Sequence, residues 1–133
     1  MNKPILVSIE SPYHNTNPII LQKNINYAIM AMKDSAKNYN EIPYLSHLLL
    51  TQVVINGNYM YTNDNIIDHF GIGRDNAINL TNELRKRVDK IVFYIDFGYS
   101  NGMNIAKQIA IDNNILTEER YLPATFMNNI LSL

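Results

Sequence analysis

The stretch IVFYIDFGYSNGMNIAKQIA, residues Ile91–Ala110, decides the fold of this chain. Its apolar run Ile91–Ile95 predicts a buried strand that ends at Asp96. A Gly/Tyr/Ser turn follows and leads into a helix that Ser100 can cap. In an α/β protein, ligands bind outside the carboxyl end of a strand, next to the start of the following helix. The segment therefore predicts a strand–helix unit and the place where a ligand would bind.

The rest of the chain alternates strand and helix patterns in the same way. The predicted strands are Ile5–Ile9, Ile42–Leu45, Ile91–Asp96 and, as an edge, Glu119–Leu122. The predicted helices run from Pro18 to a stop at Asn38–Asn40, from Asn63 to Val88, from Asn101 to Asn113 and from Ala124 to Leu131. Gly71 and Gly73 are expected to bend or split the second helix. The turn signal Asn56-Gly57-Asn58 has no clear partner strand, so no hairpin is predicted there.

The order of these elements, without repeat or linker, predicts a single α/β domain over residues 1–133. Continuous apolar strands that alternate with amphipathic helices favour a small parallel sheet of four or five strands with helices on both faces. Because crossovers are right-handed, a doubly wound, flavodoxin-like topology is expected. The apolar tail Phe126–Leu133 suits either a subunit interface or a last core helix.

The composition excludes several classes of function. The formal net charge is -1, and the basic cluster Arg85, Lys86 and Arg87 fits a solvated helix end better than a nucleic-acid-binding face. The chain has no cysteine, and His14 and His69 lack metal-ligand spacing, so neither a metal nor a cofactor is expected. No apolar run approaches the roughly 20 residues of a membrane span, and the amino terminus lacks the pattern of a signal peptide. A cytoplasmic protein without membrane or nucleic-acid partners is expected.

Polar residues follow three of the predicted strands. The three clusters are Glu10, Ser11, Tyr13 and His14; Ser46, His47 and Gln52; and Asp96, Tyr99, Ser100, Asn101 and Gly102. Their convergence at one sheet edge would suit a polar small molecule, although loops are polar in any case. Gly102 permits close backbone approach to a ligand. His47 could bind a ligand or act as an acid or base, and a hydrogen-bonded structural histidine is an equal alternative.

Two carboxylates, Glu10 and Asp96, end neighbouring predicted strands and could face one cleft. Glycosyl chemistry uses such a pair, with one group as nucleophile or stabiliser and the other as acid or base. Solvated acids at strand ends are the commoner arrangement.

Four segments resemble the nucleoside 2-deoxyribosyltransferase-like superfamily, and most closely its small bacterial and phage branch. They are ESPY at Glu10–Tyr13, IPYLSHLLLTQ at Ile42–Gln52, FGIG at Phe70–Gly73 and VFYIDFGYSNGM at Val92–Met103. The resemblance implies a flavodoxin-like fold, a homo-oligomer and a pocket for a nucleoside or nucleotide. The resemblance implies that the sugar lies near the helix that begins at Gly102 and Met103. Together with the clusters after the strands, it gives the expected ligand-binding residues: Ser11, Tyr13, His47, Gln52, Tyr99, Ser100, Asn101, Gly102 and Met103.

The resemblance also locates the nucleophile of the active enzymes, a glutamate four residues after the glycine. In this chain that position is Ala106, whose methyl group cannot attack a sugar. The acid that contacts the base in those enzymes corresponds to Ser100, which can still form a hydrogen bond. The expected function is therefore binding of a nucleoside or nucleotide derivative with little or no transferase activity.

Two other hypotheses stay open. An active N-glycosidase or 2-deoxyribosyltransferase would use Glu10 or Asp96 instead, and an interaction protein would retain only a vestigial pocket. The abundance of asparagine and isoleucine is explained most simply by an AT-rich coding genome, such as that of a virus or phage. A viral protein acting in the host cytosol could use the pocket to sequester a signalling nucleotide.

Overall fold

The computed structural model describes residues 3–45, 52–55, 58–61 and 74–131. Six strands and four helices lie in these ranges. In chain order they are β1 (Leu6–Glu10), α1 (Pro18–Tyr39), β2 (Ile42–Leu45), β3 (Gln52–Ile55), β4 (Asn58–Tyr61), α2 (Arg74–Arg85), β5 (Lys90–Tyr94), α3 (Asn101–Asp112), β6 (Leu116–Arg120) and α4 (Ala124–Leu131). No helix in the described ranges is both long enough and apolar enough to cross a membrane.

Four strands form an all-parallel sheet in the order β2-β1-β5-β6. Ile9 of β1 lies opposite Leu45 on one side and Val92 on the other, and Val92 lies opposite Glu118 of β6. The chain winds outward in one direction from β1 to β2 and in the other from β5 to β6. This is the doubly wound, flavodoxin-like arrangement predicted from the sequence, and its switch point lies between β1 and β5.

Helix α1 begins and ends at the residues that the sequence indicates. The Asn17 side chain accepts hydrogen bonds from the backbone N–H groups of Ile19 (2.9 Å) and Ile20 (3.4 Å), with Pro18 in the first turn. Asn40 ends the helix in the left-handed conformation, at φ 54°. The two caps fix the length of the helix that crosses the sheet.

Two apolar layers cover the two faces of the sheet. One contains residues of α1 and α4 packed on alternate strand residues: Val7, Ile9, Tyr27, Ala28, Ala31, Val92, Tyr94 and Ile130. The other contains α3 residues packed on the remaining strand residues: Val88, Ile91, Phe93, Met103, Ala106 and Ala110. Phe126 and Met127 pack against the first layer, so α4 is a core helix. Of the two interpretations of the carboxyl-terminal tail, these contacts favour the core helix.

An ion-pair network, which we call the Arg120 network, joins the end of α1 to β6. Both terminal nitrogens of Arg120 bond to Glu41, at 2.7 and 2.8 Å, and its Nε bonds to Glu118. Lys90 Nζ bridges Glu41 (3.0 Å) and Glu118 (2.9 Å). Arg120 is 4 % exposed and Glu41 is 8 % exposed, so each charge depends on its partners.

One sequence expectation was wrong: the turn at Asn56-Gly57-Asn58 does have partner strands. β3 pairs with β4 in antiparallel fashion, with Val53 opposite Met60 and Ile55 opposite Asn58. Two residues, Asn and Gly, separate the strands, and this pair favours the tight turn of a hairpin. The hairpin was missed because each strand has only four residues, which is too short to give a clear alternation.

Within the described ranges, two element boundaries differ from the predictions by three residues. The helix predicted up to Val88 ends at Arg85, and Val88 instead enters the apolar core. The edge strand predicted at Glu119–Leu122 is Leu116–Arg120. Residues 62–73, which include the expected bend at Gly71 and Gly73, lie outside the described ranges.

Candidate functional site

The candidate site lies at the carboxyl edge of β1 and β5. Glu10, the last residue of β1, pairs with Phe93 near the end of β5, so the segments that follow both strands leave the sheet at the same edge. This brings the first and third predicted clusters to one place. Of the second cluster, Ser46 and His47 lie outside the described residues, and Gln52 is described only as the first backbone position of β3.

The start of α3 forms one side of this edge. Ser100 is the N-cap, and its Oγ accepts the N–H of Met103 at 3.2 Å while its own N–H donates to Met103 Sδ at 3.4 Å. The first turn contains no acidic residue, so no carboxylate there offsets the positive end of the helix dipole. Asn101 and Gly102 are exposed, whereas Met103 is 1 % exposed and packs in the core. Of these predicted binding residues, only Met103 has its side chain away from the surface.

The two glycines near this turn differ in whether the backbone requires glycine. Gly98 has φ +78°, a conformation that side-chain-bearing residues rarely adopt. Gly102 does not have a positive φ, and a Cβ added there would come no closer than 4.0 Å to Ser100 Oγ. The fold therefore does not require glycine at position 102. Glycine is also about 1 kcal/mol less favourable than alanine inside a helix. The open space beside Gly102 is available for close approach of a ligand.

Asp96, two residues after the end of β5, is held by α1 and by the segment after β6. Its Oδ2 accepts the hydroxyl hydrogen of Tyr27 at 2.6 Å and the backbone N–H of Leu122 at 3.0 Å. The Asp96 N–H donates back to the Tyr27 oxygen at 2.9 Å. Tyr27 is fully buried, and this burial, together with the hydrogen bond to Asp96, raises the pKa of its hydroxyl. Tyr27 is therefore a permanent donor to Asp96.

Glu10 is held on the opposite face of the sheet. Its carboxylate accepts Arg85 Nε (2.9 Å) and Arg85 Nη2 (2.7 Å), and the Ser8 hydroxyl donates to it at 2.6 Å. Burial alone would lower the pKa of Arg85, but the adjacent Glu10 charge raises it above its usual value. Glu10 is 1 % exposed, so this bidentate pair fastens the end of α2 to β1. The two carboxylates predicted to share a cleft are thus held by partners from different helices.

The remaining predicted side chains border the same edge. Ser11 is buried, and the carbonyl of the half-buried Tyr13 accepts a hydrogen bond from Asn24 at 3.1 Å. The Tyr99 hydroxyl donates to Glu119, and burial followed by this hydrogen bond raises its pKa to about 12. Tyr99 is therefore neutral at physiological pH.

Three residues at this site were not identified from the sequence: Tyr27, Lys23 and Phe97. Phe97 is 38 % exposed, its ring contacts Tyr27 edge-on with centroids 4.8 Å apart, and Lys23 Nζ lies 4.1 Å above it. Tyr27 and Lys23 lie on α1, about 70 residues before Phe97 in sequence. Only the packing of α1 over β5 brings them to the site, and no local pattern signals that packing.

Ala106 lies where the resemblance locates the nucleophile of the enzymes. It is completely buried in the apolar layer formed with Ile91 and Phe93. Its side chain therefore packs against the sheet. Among the described residues, no group of three or more His, Cys, Asp or Glu side chains is arranged to hold a metal ion.

Comparison with known proteins gives one family. A family model described as "Domain of unknown function (DUF7768)" matches residues 5–120. Searches of the curated proteins and of the solved structures found no significant match. The matched range begins just before β1 and ends with β6, so it contains the whole parallel sheet and both sides of the candidate site.

Proposed function

This chain belongs to the DUF7768 family, and we propose that it binds a nucleoside or nucleotide derivative at the carboxyl edge of β1 and β5, without transferring a glycosyl group. The observation that supports this most directly is that one connection, between β5 and α3, contains both a fixed carboxylate, Asp96, and an exposed helix start at Asn101 and Gly102. A carboxylate accepts hydrogen bonds from sugar hydroxyls, and a helix start favours phosphate or other anionic oxygens. Both follow β5, one of the two strands beside the switch point of the sheet, where doubly wound folds bind ligands, and this supports the proposal.

The proposed lack of transferase activity rests on Ala106 and Glu10. Ala106 has no nucleophilic atom and is fully buried. Glu10 accepts three hydrogen bonds and would have to release the buried Arg85 before it could attack a sugar. Binding without turnover would suit sequestration of a signalling nucleotide in the cytosol, in a host cell if the gene is viral.

An active N-glycosidase or deoxyribosyltransferase is the second candidate, and one observation favours it. Asp96 is partly exposed and is fixed through only one of its oxygens. Incubation with a panel of nucleosides and nucleotides, followed by measurement of released free base, tests this candidate. Base release that is abolished in Asp96→Asn supports the enzyme; thermal stabilisation without base release supports the binding protein.

The position of the ligand is tested at Gly102. Because a side chain there would meet open space, Gly102→Leu should fold with an unchanged or higher Tm and should lose the thermal shift given by the ligand. Gln108→Leu, at an exposed position further along the same helix, is the matched control and should keep it. If Gly102→Leu binds as the wild type does, the ligand does not lie against the start of α3.

A homo-oligomer is part of the proposal. Two apolar side chains, Ile111 (62 % exposed) and Leu116 (67 % exposed), lie at the end of α3 and the start of the edge strand β6. Exposed apolar surface beside a strand edge is suited to subunit contact. Light scattering coupled to gel filtration gives the mass, and Leu116→Glu should shift an oligomer towards monomer.

A further inference from the structure

Only one oxygen of the Asp96 carboxylate accepts hydrogen bonds from the described residues. Both donors, the Tyr27 hydroxyl and the Leu122 N–H, reach Oδ2. No described residue donates a hydrogen bond to Oδ1, and Asp96 is only partly buried. A carboxylate oxygen can accept two hydrogen bonds. Oδ1 is thus an acceptor whose position is fixed by the two donors to Oδ2.

We propose that Asp96 Oδ1 accepts a hydrogen bond from the 2′- or 3′-hydroxyl of a nucleotide sugar, so that the ligand is a nucleotide that carries at least one of these hydroxyls. This inference rests on the proposed function and specifies its ligand. Asp96 selects for the hydroxyl group, and Tyr27 acts as a positioning residue that does not touch the ligand.

The chemistry of the two sides of the site favours this orientation of the ligand. A carboxylate repels a phosphate and accepts from an O–H group, so the phosphate of a nucleotide belongs at the start of α3. Once the 5′ oxygen carries a phosphate, the sugar donors that remain are the 2′- and 3′-hydroxyls. Asp96 therefore discriminates ribose from a sugar that lacks both hydroxyls.

Tyr27 determines how well Oδ1 is oriented. It is fully buried, and its hydroxyl both donates to Asp96 Oδ2 and accepts the Asp96 N–H. Removal of this hydroxyl leaves Leu122 N–H as the only described donor to Oδ2. The carboxylate then gains freedom to rotate, and its hydrogen bond to a ligand is weakened.

The test compares the 5′-monophosphates of adenosine, guanosine, cytidine and uridine with their 2′,3′-dideoxy counterparts by isothermal titration calorimetry. A hydrogen bond to a charged group corresponds to about a 10- to 100-fold difference in affinity. The wild type should therefore prefer at least one ribonucleotide over its dideoxy counterpart by about this factor. Asp96→Asn should remove the preference by weakening only the ribonucleotide. Asp112→Asn, at an exposed carboxylate one turn after Gln108 in α3, should leave both affinities unchanged.

Tyr27→Phe gives a second, independent measurement. In this variant, the ratio of the affinity for the ribonucleotide to that for its dideoxy counterpart should fall several-fold. A merely structural role of Tyr27 would weaken the binding of both ligands equally and leave this ratio unchanged, so a fall in the ratio identifies a positioning role. If Asp96→Asn fails to fold, a folded Tyr27→Phe that retains the full preference overturns the inference. An unchanged preference in a folded Asp96→Asn, or equal weakening of both ligands, overturns it as well. If the wild type binds dideoxy and ribonucleotides equally, the inference fails and the proposed function stands; if it binds neither, both fail.

Discussion

Substitution of Ala106 by glutamate restores the residue that the resemblance expects, and we predict that it destabilises the fold without creating an enzyme. Ala106 has no exposed surface and packs with Ile91 and Phe93. The new carboxyl group would enter an apolar layer with no described partner for a negative charge. The larger side chain overpacks the layer at a cost of about 1–3 kcal/mol.

The charge of the new glutamate accounts for the larger part of the predicted destabilisation. A buried carboxylate binds a proton instead of remaining ionised, and for a glutamate of usual pKa about 4.3 this costs about 3.7 kcal/mol at pH 7. With the overpacking cost, the free energy of unfolding should fall by about 5–7 kcal/mol. That is comparable to the whole stability of many domains, about 5–15 kcal/mol.

Urea unfolding followed by circular dichroism measures this loss, and its pH dependence identifies the cause. The folded state would hold a proton that the unfolded state releases above its pKa. The difference from wild type should therefore shrink by about 1.4 kcal/mol for each unit that the pH falls from 7 towards 4.3. Asn104→Glu, at an exposed position of the same helix, should stay within about 0.5 kcal/mol of wild type. An Ala106→Glu protein that is as stable as wild type at every pH, or that releases free base, would refute the burial of this position.

Three further predictions concern the Arg120 network and the first helix. The hydrogen bond from Arg120 lowers the pKa of Glu118 from 4.5 to about 2, so its contribution to stability is complete above 4.5 and is lost as the pH falls towards 2. Urea midpoints between pH 2 and 5 should show this loss, and Glu118→Gln should reduce it. Arg120→Leu should cost about 3–5 kcal/mol in urea unfolding, because it leaves the carboxylate of Glu41 buried without its bidentate partner. Asn17→Ala should lower the free energy of unfolding by about 1 kcal/mol through loss of the cap on α1.

A matched control for these charge changes is the exposed pair of Glu83 and Lys86, at 2.8 Å. Because solvent screens such pairs, Glu83→Gln should leave the urea midpoint close to that of the wild type. A loss in Glu83→Gln as large as that in Arg120→Leu would mean that the loss of any ion pair, and not the burial of the partner left behind, accounts for the effect. Asn17→Asp, which retains a capping oxygen, should restore most of the stability lost in Asn17→Ala.

Features that depend on local sequence could be predicted well. The caps Asn17 and Asn40, the strand that ends near Asp96 and the helix capped by Ser100 all follow from residues within a few positions of one another. The parallel sheet then follows from the alternation of strands and helices. The start of β6 was misplaced because its exposed charged residues do not form an apolar run.

Contacts between distant residues could not be predicted in this way. Arg85 meets Glu10 across 75 positions, Tyr27 meets Asp96 across 69, and Arg120 meets Glu41 across 79. Each contact requires two elements to pack with a particular side facing each other. That orientation depends on the packing of the whole core. The sequence therefore identified Glu10 and Asp96 as notable acids, while their partners, and so their different roles, came only from the fold.

The hydrogen bond from Leu122 N–H to Asp96 has a practical consequence for spectroscopy. This backbone proton shares its acceptor oxygen with Tyr27 and belongs to a residue that is itself only 6 % exposed. An amide proton shift responds strongly to the charge and distance of its acceptor. In a ¹⁵N-resolved NMR spectrum, the Leu122 resonance would thus act as a built-in sensor of the electronic state of Asp96. It would register an occupied site even for a ligand that carries no label and gives no measurable heat.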